Sequence, residues 1–254
     1  MLRMHPARFG ALLLAVTVAS VPVATGGDPA ASTEVVRIPV GTSNLDATLH
    51  RPAKSNGCAV VVAPGQSGGR ERPLPKRTAD ALAAAGFTVL RLDWRFFTAK
   101  GTPSEDYSAE AADLDAAIGH ARSLPGITKI LVAGKSLGTL ATAARLATKP
   151  DDVAGLLMLT PALVQDDAGT PFAGIERLFR TRIPTLIVAG DHDPLCPLAA
   201  LYRLADKATV APRIVVVPGD HGLSKARDDN SETDDNVALA VSAVVLWARR
   251  MSGA

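Results

Sequence analysis

The stretch KILVAGKSLGTLATAARL, residues 129–146, changes character twice. It begins with an apolar run of the kind that fills a strand buried on both faces. It ends in an Ala/Leu-rich segment with strong helix propensity. Between them Ser136 stands in GKSLG, with a glycine two positions away on either side. Glycines at those positions let a strand and a helix approach closely and let the backbone turn sharply. The spacing predicts a tight strand-to-helix turn that exposes the Ser136 hydroxyl, with the Leu137 N–H at the helix start. The plainer alternative is a glycine-rich turn with an N-capping serine.

The flanking sequence repeats the strand-then-helix order. EVVRIPV (34–40) and LDATLHRP (45–52) read as two strands of an antiparallel hairpin joined by residues 41–44. CAVVVAPG (58–65) is a continuous apolar strand, followed by a helix over 74–85 and the strand FTVLRLDW (87–94). A helix over 104–122 leads to the strand before Ser136, whose helix runs over 137–147. Strands follow at 153–161, 183–190 and 212–219, with a helix over 198–206 and a last helix ending near 249. Residues 165–170 read as a surface excursion. Alternation of this kind calls for an α/β fold, a mostly parallel sheet covered by helices on both faces. Ligands collect at the carboxyl ends of the strands in such sheets.

A serine hydroxyl becomes a nucleophile at neutral pH only beside a base that a carboxylate orients. The base expected from this chain order is His221 in VVVPGDHGL, at the end of the eighth strand. His5 lies in the apolar N-terminal segment, His50 follows an early strand, His120 falls within a helix, and His192 reads as a residue that lines or tunes the site. In AGDHDPLCP, Asp193 is the preferred carboxylate because Pro194 and Pro197 stiffen its loop. Asp191, able to accept hydrogen bonds within its own turn, is the alternative. A developing oxyanion needs two N–H donors. Leu137 is expected to supply one, and Gln66 in APGQSGG, where Gly65, Gly68 and Gly69 allow close backbone approach, is the candidate for the other, with an ordinary glycine-rich loop as the competing account. Trp94, Phe96 and Phe97 stand where they could line an acyl pocket, with ordinary packing as the competing account. Lys135 could attract an anionic substrate, but a charge pointing to solvent is the preferred reading.

Composition limits the alternatives. Arg3 and Arg8 precede GALLLAVTVASVPVA, an apolar run with the length and flanks of a signal peptide and too short to span a membrane. Residues 1–27 are therefore read as a signal peptide, cleaved between Ala19 and Ala31, ahead of one domain over 34–250, with an uncleaved amphipathic or anchoring helix as the alternative. Without those two arginines the chain holds 25 basic and 25 acidic residues. That balance argues against nucleic acid as a partner. The acidic run RDDNSETDD (227–235) lacks metal-ligand spacing and reads as a loop leading into a helix. Cys58 and Cys196 fall at opposite ends of their strands, about 15–20 Å apart, which predicts two free thiols. No G-x-G-x-x-G follows an early strand, which excludes a dinucleotide-dependent dehydrogenase.

The serine turn, GDHDP and GDHG, in that order and spacing, resemble the α/β-hydrolase superfamily over about residues 34–249. PGQSGG, AAAGFTVLRLDWRF and AGKSLG resemble in particular the small predicted-hydrolase branch that includes testis-expressed proteins and a subunit of the NSL chromatin complex. Dienelactone-hydrolase-like enzymes are a second similar group. The resemblance implies an eight-stranded sheet, catalytic Ser136, Asp193 and His221, and no metal or organic cofactor. Two positions depart from the pattern: Pro64 stands where a histidine usually precedes the oxyanion loop, and Thr139 replaces a common glycine.

Residues 162–183, between the sixth and seventh strands, are too few for a large helical cap, so an open, shallow site is expected. The combined expectation is a secreted or cell-envelope serine hydrolase of the carboxylesterase type, acting on a small ester through an acyl-enzyme. A peptidase or thioesterase would use the same groups, and a noncatalytic interaction protein on the same fold is the alternative from another class.

Overall fold

In β3 (Cys58–Ala63) every side chain is buried, and successive residues serve different cores. Ala59, Val61 and Ala63 pack on one side of the sheet with Leu114, Ala117 and Ile118, while Cys58, Val60 and Val62 pack on the other with Leu82, Val244 and Trp247. A strand reads as an unbroken apolar run when both of its faces are covered. The computed structural model describes residues 31–67, 69–150, 152–224 and 230–253, with the side chains of 230–234 left aside. The segment read as a signal peptide lies outside the described residues.

The chain opens with β1 (Ser32–Val40) and β2 (Ser43–Arg51), then β3, α1 (Pro73–Ala84), β4 (Thr88–Leu92), α2 (Arg95–Thr98) and α3 (Ser108–Ser123). β5 (Lys129–Ser136), α4 (Leu137–Leu146), β6 (Gly155–Pro161), α5 (Arg177–Arg180), β7 (Thr185–Gly190), α6 (Leu198–Ala205), β8 (Arg213–Val217) and α7 (Asn230–Ser252) complete it. The eight strands lie in the order β1-β2-β4-β3-β5-β6-β7-β8. β2 pairs antiparallel with both β1 and β4, and the remaining pairs are parallel. The structure is thus the α/β-hydrolase fold the sequence resembles. α3 and α4 cover one face, and α1 and α7 cover the other. No described helix is long and apolar enough to cross a membrane.

Three local expectations change. The first hairpin turns more tightly than expected, since β2 begins at Ser43 and Gly41 takes a φ of +59°. α3 starts at Ser108 rather than at 104, because the buried Glu110 carboxylate accepts hydrogen bonds from the Ser104 N–H at 3.2 Å and hydroxyl at 2.6 Å, holding 104–107 outside the helix. A short helix, α2, turns the chain directly after β4. It is pinned where Asp113 of α3 accepts a hydrogen bond from the Arg95 N–H at 3.0 Å and pairs with the Arg95 guanidinium.

The tightest joint is the one between β5 and α4. A Cβ added at Gly134 would lie 2.6 Å from the Gly138 carbonyl oxygen, and one at Gly138 would lie 2.5 Å from the Ala63 carbonyl oxygen. Backbone atoms cannot rotate aside. Gly138→Ala should therefore lower stability by about 2 kcal/mol or more in urea unfolding. Gly119→Ala, on the exposed side of α3 with open space around it, should raise stability by about 0.5–1 kcal/mol. Equal effects at the two sites would contradict this account of the joint.

Candidate active site

Ser136 is the last residue of β5 and has φ 52° and ψ −112°, a conformation that a residue with a Cβ adopts only under strain. Its neighbours hold it there. Pairing of β5 with β6 shifts register between Lys135 and Ser136, and the buried Thr139 hydroxyl donates to the Ser136 carbonyl at 2.5 Å while accepting from the Ala162 N–H at 3.3 Å. Thr139 thus ties the turn to the end of β6, a role a glycine could not fill. Leu137 opens α4, and its N–H is one of the first-turn donors that have no acceptor within the helix.

The structure brings Ser136, His221 and Asp193 together from three separate strand ends. Ser136 Oγ lies 2.8 Å from His221 Nε2, and His221 Nδ1 lies 2.9 and 3.0 Å from the two Asp193 carboxylate oxygens. With Nδ1 protonated and donating to Asp193, Nε2 is left to accept from the serine hydroxyl. The Asp193 side chain is fully buried, and its Oδ1 also accepts the Leu195 N–H at 2.9 Å. The alternative carboxylate faces elsewhere. Asp191 is exposed, accepts the Gly219 N–H at 2.9 Å and pairs with His192 Nδ1 at 2.5 Å. The Gly219 hydrogen bond, with the contact to His192, holds its carboxyl below the usual carboxylate range. His192 therefore pairs at the surface rather than lining the site.

Gly65 lies against Ser136, where an added Cβ would sit 3.4 Å from the serine Cβ. The loop that begins there is anchored by charges the sequence reading passed over. Asp93, just past β4, accepts from the Arg70 N–H at 2.5 Å and pairs with the Arg70 guanidinium at 2.5 Å. Gly69 has to lack a side chain, because a Cβ there would collide with the same carboxylate. The buried Arg91 guanidinium donates to the Arg70 carbonyl and, at 3.0 Å, to His50 Nε2. Burial first, and Arg91 second, push the His50 pKa down, which suits its role as acceptor. A charged residue inside the apolar strand TVLRL was the available signal, since buried arginines need partners.

A cleft of about 790 Å³ opens above Ser136 and His221, lined among others by Gln66, Phe96, Phe97 and Leu195. Phe97 is exposed and Phe96 half-buried. Trp94 corrects the expectation for the aromatic trio: it is fully buried in the core beneath the cleft, and its indole N–H donates to the Pro64 carbonyl at 3.0 Å. A large ring with one polar atom is best satisfied there, and it braces the loop instead of meeting a ligand. Lys135 also departs from expectation, being half-buried at the cleft wall instead of pointing into solvent. Cys58 and Cys196 are both free and buried, and burial raises both thiols above their ordinary pKa.

Residues 56–249 match a family described as the alpha/beta hydrolase domain. An uncharacterized protein of Mycobacterium tuberculosis is 29% identical over 181 residues, or 65% of this chain. The chain spans 62% of the length of the curated relatives it matches. Among solved structures, Est1E from Butyrivibrio proteoclasticus superposes with a TM-score of 0.68 at 19% identity, covering 87% of this chain and 99% of that one. An α/β serine hydrolase without lid from Xanthomonas campestris gives 0.67 at 19%, covering 86% and 94%. A dienelactone hydrolase from Anabaena variabilis gives 0.64 at 20%, covering 84% and 96%. At these identities the likeness to solved structures is one of fold. Because the family match runs from before β3 almost to the end of α7, the chain belongs to the alpha/beta hydrolase domain family.

Proposed function

We propose that the protein is a secreted serine hydrolase that cleaves small carboxylic esters through an acyl-enzyme intermediate. The observation that carries the reading is the continuous hydrogen-bond chain from Ser136 Oγ through His221 to the buried Asp193. His221 Nε2 takes the hydroxyl proton as Oγ bonds to the ester carbonyl carbon, and the carbonyl π pair moves onto oxygen. The Leu137 and Gln66 N–H groups hold that oxyanion. Collapse of the intermediate breaks the bond to the alcohol oxygen, which receives the proton from Nε2. Water then adds to the acyl carbon, giving its proton to Nε2, and release of the acid returns that proton to Ser136.

Asp193 keeps the imidazole in the tautomer that can accept, and stabilises the imidazolium formed in each half-reaction. The open cleft, with Phe96 and Phe97 on its wall, suits a short acyl or aryl group. Family membership, and the serine hydrolase and dienelactone hydrolase among the structural neighbours, support the same reading. Export rests on the N-terminal sequence.

Ser136→Ala should reduce kcat on p-nitrophenyl butyrate about 10³-fold or more while the protein stays folded by circular dichroism. A fluorophosphonate should label the native chain at Ser136. A folded protein that neither labels nor turns over esters would refute catalysis and favour a binding role for the fold.

Asp193→Asn should cost about 10³–10⁴-fold in kcat by favouring the wrong imidazole tautomer. Asp191→Asn should change kcat less than about 5-fold, since its carboxylate serves only a surface turn. The reverse order of effects in steady-state kinetics would move the orienting carboxylate to Asp191.

A further inference from the structure

Lys135 is the residue immediately before the serine, and its side chain is unusual. The stem lies across Gly65, where an added Cβ would meet Cδ at 3.2 Å and Nζ at 3.7 Å. No hydrogen bond or ion pair joins its ammonium to any other described residue. Burial pulls its pKa down to about 8, Asp193 and Asp220 draw it up, and Arg72 adds to the depression. At neutral pH the group is still charged. A half-buried cation without a partner is costly, and such a group at a cleft wall marks a candidate site for a ligand of opposite charge.

The ammonium stands between two cavities. One is the cleft over Ser136. The other is a side cavity of about 240 Å³, bounded by Lys135, Ser67, Arg72 and Ser224, with Leu74 and Val237 among its apolar residues. Arg72 is exposed, and no hydrogen bond or ion pair joins its guanidinium to any other described residue. It also sits at the start of α1, whose first turn carries no acidic side chain, so the positive end of that helix faces no acid of its own. The two carboxylates that act on Lys135 are already engaged. Asp193 holds His221, and Asp220 accepts the Gly222 and Ser224 N–H groups at 2.7 and 3.0 Å. Two cations, two hydroxyls and a partly apolar wall describe a receptor for a small oxyanion.

We infer that the substrate carries a carboxylate or a phosphate, which docks on Lys135 and Arg72 in the side cavity while its ester lies at Ser136. The inference rests on the esterase reading and narrows it to acidic esters. Selectivity follows from the wall. Partial exclusion of water strengthens each charge-assisted hydrogen bond, and a neutral substrate would leave the ammonium unpaired.

Two substrate pairs test it, one with the anion on the acyl side and one with it on the alcohol side. They are the p-nitrophenyl monoester of glutarate against its neutral amide counterpart, and 3-acetoxybenzoate against 3-acetoxybenzamide. The expected result is a kcat/KM about 10-fold or more higher for the acidic member of at least one pair. That ratio should fall toward about 1 in Lys135→Met, and in part in Arg72→Gln.

Calorimetry on folded Ser136→Ala, with glutarate and inorganic phosphate as probes, reads the cavity without turnover and separates the carboxylate from the phosphate. At least one probe should bind, and Lys135→Met on that background should abolish its binding. Neutral esters hydrolysed with both ratios near 1 would overturn the inference and leave the esterase reading intact. Binding that survives Lys135→Met would overturn it as well. Lys135-dependent binding without hydrolysis of any ester would instead uphold the anion subsite and refute the esterase reading.

Discussion

Everything at the carboxyl edge of the sheet depends on one close approach, the backbone of the β5–α4 turn against the backbone of β3. Gly134 faces Gly138, and Gly138 faces the Ala63 carbonyl, with no room at either point for a methyl group. The contact draws α4 down onto the sheet, and the chain makes the turn through the positive φ of Ser136. Strain at that residue is spread over its surroundings. Thr139 grips its carbonyl, and β6 takes up a register shift beside it. The hydroxyl is thereby raised to the edge where β7 and β8 deliver Asp193 and His221.

The loop after β3 has to hold its shape opposite that turn, and it does so with charges instead of apolar packing. Asp93, Arg70, Arg91 and His50 form a chain from β2 and β4 into the loop. Buried charges stabilise little on balance unless each finds partners, and removing one leaves the others exposed to the full desolvation penalty. The arrangement is therefore better understood as fixing geometry than as adding stability. Trp94 belongs to the same brace, since its indole N–H holds Pro64 at the root of the loop. That is a physical reason for a proline to stand there without loss, because the position contributes its carbonyl and has no need of an N–H.

The order of strands and helices was legible because a strand covered on both faces must be almost wholly apolar, as β3 is throughout and β6 and β7 are but for one threonine each. The three members of the hydrogen-bond chain at the strand ends were legible for a related reason. Ser136 ends β5, and Asp193 and His221 follow β7 and β8 by a few residues, where a polar residue has no packing role to explain it. Element boundaries were less so. α3 starts later than its composition suggests because Glu110 binds Ser104 from within the helix, and α2 forms because Asp113 is there to receive Arg95. Both are contacts between residues that local propensity treats separately.

Sequence alone determined the class of fold, the strand ends on which chemistry could stand, and the identity of the serine, the histidine and a choice of two aspartates. Only the tertiary structure decided between those aspartates, because both lie in one turn and the difference is which of them faces His221 and which faces the Gly219 N–H. It also decided that Trp94 is a brace, that His192 belongs to the surface, and that Lys135 is a half-buried cation between two cavities. Periodicity records which face of an element is covered. Which partner a polar side chain meets depends on segments distant in the chain, and that is settled only when the sheet is assembled.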